Sequence, residues 1–256
     1  MSNKKPIILV TNDDGISAKG IRSLFNAVKE FGEIYIVAPD SPQSGMGHAI
    51  TINNPLRLSH VDLFEDATAF SCSGTPVDCV KLGIFEVMKG KPDLIVSGIN
   101  HGANTSTNVL YSGTMSAAVE GAMENIPSIG FSLCNFGSDA DFSVAQKVVK
   151  QVVAKVLNNG MPDGVCLNVN IPDVSSQEFK GMKVCHQANA FWEDSFDKRL
   201  DQFGKPYFWL TGHFLDHEKS NDTDLYWIEK GYATIVPTQF DMTSYKALKE
   251  LENWNL

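Results

Sequence analysis

A chain of 256 residues suits one large α/β domain, or one domain with an appendage. Its formal charge of −9 comes from 21 basic and 30 acidic residues without any basic cluster, which argues against a nucleic-acid polymer as partner, because neutralising phosphates takes clustered cations. Five cysteines, an odd number with no Cys-x-x-Cys pair, point to reduced thiols in a cytoplasmic protein, and the first apolar run is too short for a signal-peptide core or a membrane span.

Along the chain, Pro6-Ile-Ile-Leu-Val-Thr-Asn-Asp-Asp-Gly15 runs a buried strand into two adjacent carboxylates and a glycine. An apolar run of this kind predicts a central parallel strand, and its carboxyl end is where open α/β sheets bind ligands. On a regular strand Asp13 and Asp14 would face opposite sides, but Gly15 permits a sharp turn that brings both to one point. Adjacent acids are costly unless a cation or proton neutralises them, so the turn reads as a metal site at the mouth of a sheet. Taken alone, it reads equally well as an ordinary turn or helix cap.

A helical pattern near 18–31 leads to a second apolar strand at 33–38 and a polar, glycine-containing loop over 39–51. Thr75-Pro76-Val77-Asp78 predicts a helix start, with a Thr cap, Pro at the first position and an acid in the first turn. Asp93-Leu-Ile-Val-Ser97 predicts another buried strand leading into a long polar loop, after which Ser112-Gly-Thr opens a small-residue helix, Met115–Met123. A strand at 127–133, a helix near 141–158 and a strand at 164–171 complete the alternation. Strand and helix alternating in this way predict a doubly wound, Rossmann-like, mostly parallel sheet over residues 1–172.

Beyond Pro172 the regularity fades, leaving residues 173–256 as a C-terminal extension. All four tryptophans (Trp192, Trp209, Trp227 and Trp254) lie there, beside Phe191, Phe196, Phe203, Tyr207 and Phe208. Such aromatics either bury against a partner chain or complete the core of the chain itself. His213 and His217 have the i,i+4 spacing of a helical metal site, but Gly212 and Asp216 make the segment loop-like, which argues against zinc there.

Three polar segments follow the predicted strands: Pro39–Gly47 with Ser44 and Gly45, Ser97–Asn104 with Asn100, and Tyr111-Ser112-Gly113-Thr114. In a parallel sheet they gather at the edge that carries Asp13 and Asp14. An oxygen-rich set of carboxylates, hydroxyls and an amide favours Mg²⁺ or Mn²⁺ over zinc. The N–H groups at the Ser112-Gly113-Thr114 helix start suit a phosphate oxygen. A metal, a phosphate cradle and no evident protein nucleophile suggest phosphate ester hydrolysis by metal-activated water.

At these residues the chain closely resembles the SurE family, the stationary-phase survival protein E phosphatases. The resemblance rests on Val10-Thr-Asn-Asp-Asp-Gly15, Val37-Ala-Pro-Asp40 with Ser44-Gly45, Ser73-Gly-Thr-Pro-Val-Asp-Cys-Val80, Asp93–Asn100, Gly102-Ala-Asn104 and Tyr111–Gly121, and later on Asp222-Thr-Asp224, Gly231-Tyr232 and Asp241-Met-Thr243. It implies a divalent-metal-dependent nucleotidase acting on nucleoside 5'- and 3'-monophosphates, and in some members on short polyphosphate. It implies one metal held by Asp13, Asp14, Ser44 and Asn100, with Asp13 and Asp14 catalytic, and phosphate contacts from Gly45, Asn100, Ser112, Gly113 and Thr114. It also implies a homodimer or homotetramer built by exchanging a C-terminal hairpin. Two positions depart from the pattern: Asn104-Thr-Ser-Thr-Asn108 replaces a Gly-Asp-Asp segment, so that Asn108 has no proton to exchange, and Lys19 replaces a proline, which should be neutral.

A signalling receiver domain shares the acidic pair after its first strand, but it needs a phosphate-accepting Asp after a later central strand. Here that strand ends in Ser97-Gly98. An aspartyl-phosphate phosphatase needs Asp-x-Asp, which adjacent Asp13 and Asp14 do not provide.

Overall fold

The computed structural model describes residues 5–254, so the outermost ends of the two predicted segments lie outside the described residues. Ile7–Thr11 forms β1, followed by α1 (Lys19–Val28), β2 (Glu33–Pro39), β3 (Leu58–His60), β4 (Ala67–Cys72) and α2 (Pro76–Leu82). Then come β5 (Leu94–His101), α3 (Gly113–Met123), β6 (Ser128–Leu133), α4 (Ser143–Asn159) and β7 (Val165–Ile171). The last third holds β8 (Met182–Val184), β9 (Ala190–Leu200), β10 (Pro206–Asp216), α5 (Asp224–Glu229), β11 (Ala233–Gln239) and α6 (Tyr245–Leu251).

The central strands are buried along almost their whole length because helices cover both of their faces. Along β1, Ile8 and Val10 point into the core layer built with α1 and α4, while Leu9 points the other way, among Cys79 and Val80 of α2 and Ala117 of α3. β5 divides the same way, with Leu94 and Val96 on one side and Ile95 on the other. The α2 start is the predicted one: Thr75 accepts from the Asp78 N–H, Asp78 accepts in return from the Thr75 N–H, and Pro76 opens the first turn.

The strands lie in the order β3-β4-β2-β1-β5-β6-β7-β11-β8. From β1 the chain winds outward through β2 to β4, then returns to β5 on the other side of β1 and winds outward again through β6 and β7. The strand order therefore reverses between β1 and β5, and the crevice beyond their carboxyl ends is the ligand position of a doubly wound sheet. All strands from β4 to β7 run parallel; β3 and β11 pair antiparallel at the two flanks.

Several sequence expectations change. The strands β3 and β4 fall in a stretch where no element was expected. β5 runs four residues beyond Ser97, so Asn100 sits on a strand and not in a loop. β8 and β11, where no strand was placed beyond Pro172, add to the main sheet. His213 lies within β10, not in a loop. The Lys19 ammonium donates to the Ala140 carbonyl at 2.6 Å and sits over the Phe142 ring.

β9 and β10 form a separate hairpin paired residue for residue from Ala190 with Asp216 to Leu200 with Pro206. Phe196, Phe203, Phe208 and Trp209 are each more than half exposed on it. These aromatics do not complete the core of this chain. Among the described residues, no helix is long and apolar enough to cross a membrane.

Candidate active site

β1 delivers Asp13 and Asp14 to the crevice through the expected turn at Gly15, which adopts φ +98°, a conformation open mainly to glycine. The Asn12 side-chain amide closes the turn by donating to the Gly15 carbonyl at 3.0 Å. Asp13 is buried and faces the first turn of α3, where the Thr114 hydroxyl donates to its Oδ1 at 2.5 Å. Gly113 lies against the same carboxylate: a Cβ there would stand 2.7 Å from the Asp13 Cβ, so only glycine lets the helix come this close. Asp14, half-buried, accepts at 3.3 Å from the His101 backbone N–H at the end of β5.

Asn100 precedes that residue. The β5–β6 register shifts between Ser97 and Asn100, a local irregularity of the kind that re-aims side chains near sites. Its amide nitrogen donates to the Gly102 carbonyl at 2.9 Å, and its oxygen takes no donor among the described residues. The loop after β2 is tied across the same crevice, with Gln43 N–H donating to the Asp13 carbonyl at 2.8 Å and Gly47 N–H to the Tyr111 carbonyl at 3.2 Å. Ser44 and Gly45 are exposed in the turn between these ties. Ser112 caps α3, accepting from Met115 N–H at 3.0 Å, so the hydroxyls of Ser112 and Thr114 are both engaged within the protein.

Burial is the main reason the Asp13 carboxyl is pushed up to about 6; the Thr114 hydroxyl opposes this, and the neighbouring Asp14 charge adds to it. Burial likewise raises Asp14, against the pull of the His101 N–H. Both acids are therefore strained as anions, and a divalent cation relieves that strain directly. Among the described residues no three His, Cys, Asp or Glu side chains converge, so any cation held here draws on two carboxylates and on neutral oxygens. The exposed Ser44 hydroxyl and the free Asn100 oxygen are donors of that type, and the set suits a hard ion.

Three supporting groups were not anticipated from sequence. Glu120, buried on α3, holds Lys81 of α2 and accepts from the His48 imidazole Nε2 at 3.0 Å, pinning the loop that carries Ser44. Asn104, Asn168 and Asn170 form a buried amide chain with Ser132 that seats the Gly102–Asn104 turn on β6 and β7. Asp224 accepts from the Ser106 and Ala188 N–H groups at 2.8 and 3.0 Å, fastening the foot of the hairpin beside the site. Each group contains a bond between residues more than 60 positions apart, which no local spacing signals.

Comparison with known proteins points one way. A family profile described as Survival protein SurE matches residues 8–194. A protein of Flavobacterium psychrophilum called 5'-nucleotidase SurE is 56% identical over 253 residues, covering 98% of both chains. One of the same name from Christiangramia forsetii is 55% identical, covering 100% of this chain and 99% of its own. The crystal structure of the SurE protein from Aquifex aeolicus superposes with a TM-score of 0.84 at 38% identity, covering 98% of this chain and 100% of that one.

Proposed function

The chain belongs to the SurE family, and from that premise we propose that it is a divalent-metal-dependent phosphatase of nucleoside 5'- and 3'-monophosphates, with short polyphosphate as a further substrate. The observation that carries this reading is the placement of Asp13 and Asp14 at the β1/β5 reversal, pressed against the start of α3.

In this reading Asp13, Asp14, Ser44 and Asn100 hold one Mg²⁺ or Mn²⁺. When bound, the ion supplies Lewis acidity toward a phosphoryl oxygen and activates water as nucleophile. The chain's own work is placement. Thr114 fixes the Asp13 carboxylate by donating to it. In this reading the start of α3 takes a phosphate oxygen through Ser112, Gly113 and Thr114, where backbone N–H groups and the helix dipole favour an anion. The Ser112 hydroxyl keeps its O–H to donate while accepting from Met115 N–H, and Gly45 and Asn100 add further contacts. Hydrolysis then breaks the P–O ester bond, joins the water oxygen to phosphorus and releases nucleoside and inorganic phosphate.

The paired, exposed aromatics of β9 and β10 support a homodimer or homotetramer in which residues 173–256 complete both the domain and the assembly by hairpin exchange. Five free cysteines support a reducing, cytoplasmic setting. A receiver-like domain without hydrolase activity is disfavoured because β5 passes from Val96 to Ser97 and Gly98 with no acid.

The test is phosphate release from 5'- and 3'-nucleotides and short polyphosphate with Mg²⁺, Mn²⁺ or chelator. Asp13→Asn and Asp14→Asn should each lower metal-stimulated turnover by more than about a hundredfold, the upper end of what losing an outer-shell partner costs. Full turnover of either variant at saturating Mn²⁺ would rule out the metal assignment.

A further inference from the structure

A cavity of about 700 Å³ opens between the loops of the site and the foot of the hairpin. Gly45, Tyr111, Trp192, Asn108 and Asp194 are among the residues that line it. Gly45 follows Ser44 and Tyr111 precedes Ser112, so the cavity begins where the phosphate-facing backbone ends.

Its aromatic walls differ in how they are held. Phe191 is already stacked on His217, with centroids 4.1 Å apart. Trp192 is fixed at its edge: the indole Nε1 donates to Asn108 Oδ1 at 3.0 Å, and the ring tilts against Phe214. Asn108 belongs to a short helical turn, residues 106–111, which is itself bolted to the hairpin foot, since the Ser106 and Thr107 hydroxyls both donate to the Ala190 carbonyl. The ring is therefore held in place before any ligand arrives, although Trp192 remains about half exposed (48%). Tyr111, 64% exposed, offers a second ring in the same lining with no aromatic partner among the described residues. Asp194 adds a carboxyl group to the same lining.

We propose that this cavity is the nucleobase subsite, in which the base of a nucleoside monophosphate stacks on Trp192 and Tyr111, and that Asn108 is the positioning residue that holds the indole for it. The inference rests on the phosphatase reading above for the phosphate end of the substrate. A flat heterocycle matches two exposed rings at the rim of a phosphate site, and its N–H edge matches a carboxyl group. It also gives Asn108 a role that needs a neutral acceptor and no proton exchange.

Stacking on an aromatic side chain favours binding by about 5- to 150-fold per base. Trp192→Ala and Tyr111→Ala should therefore each lower the ratio of kcat/KM for AMP to that for ribose 5-phosphate, which lacks a base, by about tenfold. Trp192→Phe should recover most of the ratio, and Asn108→Leu should lower it less than Trp192→Ala does. Adenosine, which has no phosphate, should quench the wild-type tryptophan fluorescence saturably and should do so far less in Trp192→Phe. An unchanged AMP to ribose 5-phosphate ratio in both alanine variants would overturn the proposal, and so would the absence of any adenosine response. Loss of assembly alone lowers both substrates together and leaves the ratio where it was, which counts against the proposal. If the wild type hydrolyses no phosphomonoester, the phosphatase reading falls instead, and the adenosine titration still decides the subsite.

Discussion

The β1–β5 pair and the β9–β10 hairpin are both fully paired β structure, yet they stand at opposite ends of burial. In β1 and β5 each successive side chain enters a packed layer, one made with α1 and α4, the next with α2 and α3. In the hairpin eleven residues per strand pair in register, and most side chains on both faces meet solvent. Backbone pairing satisfies hydrogen bonds equally in the two places. What differs is apolar burial, the dominant favourable contribution to folding, and a lone two-stranded hairpin is marginal without it. The site sits where the chain is complete in itself. Among the described residues the hairpin is tied near its foot, through Ser106, Thr107, Asn108 and Asp224, and its aromatic length stays at the surface of this chain.

The largest expected effect tests the packed side of this contrast. Gly113→Val places a side chain where Asp13 stands. It should reduce phosphate release more than about a hundredfold, beyond the usual range for outer-shell changes, and should lower unfolding stability in urea by about 1–3 kcal/mol through overpacking. Wild-type turnover in this variant would mean that α3 and Asp13 need not touch. On the open side, Phe208→Lys combined with Trp209→Lys should dissociate the assembly, seen as a drop in molar mass by light scattering. The same pair should leave the stability of the dissociated chain within about 0.5 kcal/mol, as for other exposed positions. A clear loss of monomer stability would show that the hairpin packs on its own chain after all.

The smallest effect sharpens the border between the two. Burial raises the Glu120 carboxyl, but His48 and Lys81 together outweigh it and hold the group below its ordinary range. A carboxyl whose folded pKa is depressed adds stability at neutral pH and loses it as pH falls through the glutamate range. Glu120→Gln should therefore cost about 1 kcal/mol at pH 7, a small figure because both partners are partly exposed, and should flatten the decline in stability between about pH 6 and pH 4. Identical urea midpoints for both proteins across that range would remove Glu120 from the account.

Much of the catalytic half was legible from sequence because its signals are local. Apolar runs marked β1, β2, β5, β6 and β7, and Thr75, Pro76 and Asp78 marked the start of α2 within four residues. β3 and β4 were missed because Leu58–His60 is only three residues long and Ala67–Cys72 mixes small, polar and apolar side chains without a clean period. The hairpin was legible only through the family resemblance and not from periodicity, because its aromatic residues fall on both faces, where a half-buried strand would alternate with polar ones. The expected metal and phosphate residues do gather at one crevice, but Thr114 donating to Asp13, the Glu120 pair and the Trp192–Asn108 bond join residues 39 to 101 positions apart.

By itself the sequence determined which residues could carry the chemistry: two acids before a glycine, an amide and hydroxyls after strands, and a small-residue helix start. Those choices follow from backbone conformation and burial over a few neighbouring residues. Only the tertiary structure decided which of them meet. The strand order reverses between β1 and β5, and that reversal sets Asp13 against Gly113 and Asp14 against His101, where burial in one crevice strains both acids as anions.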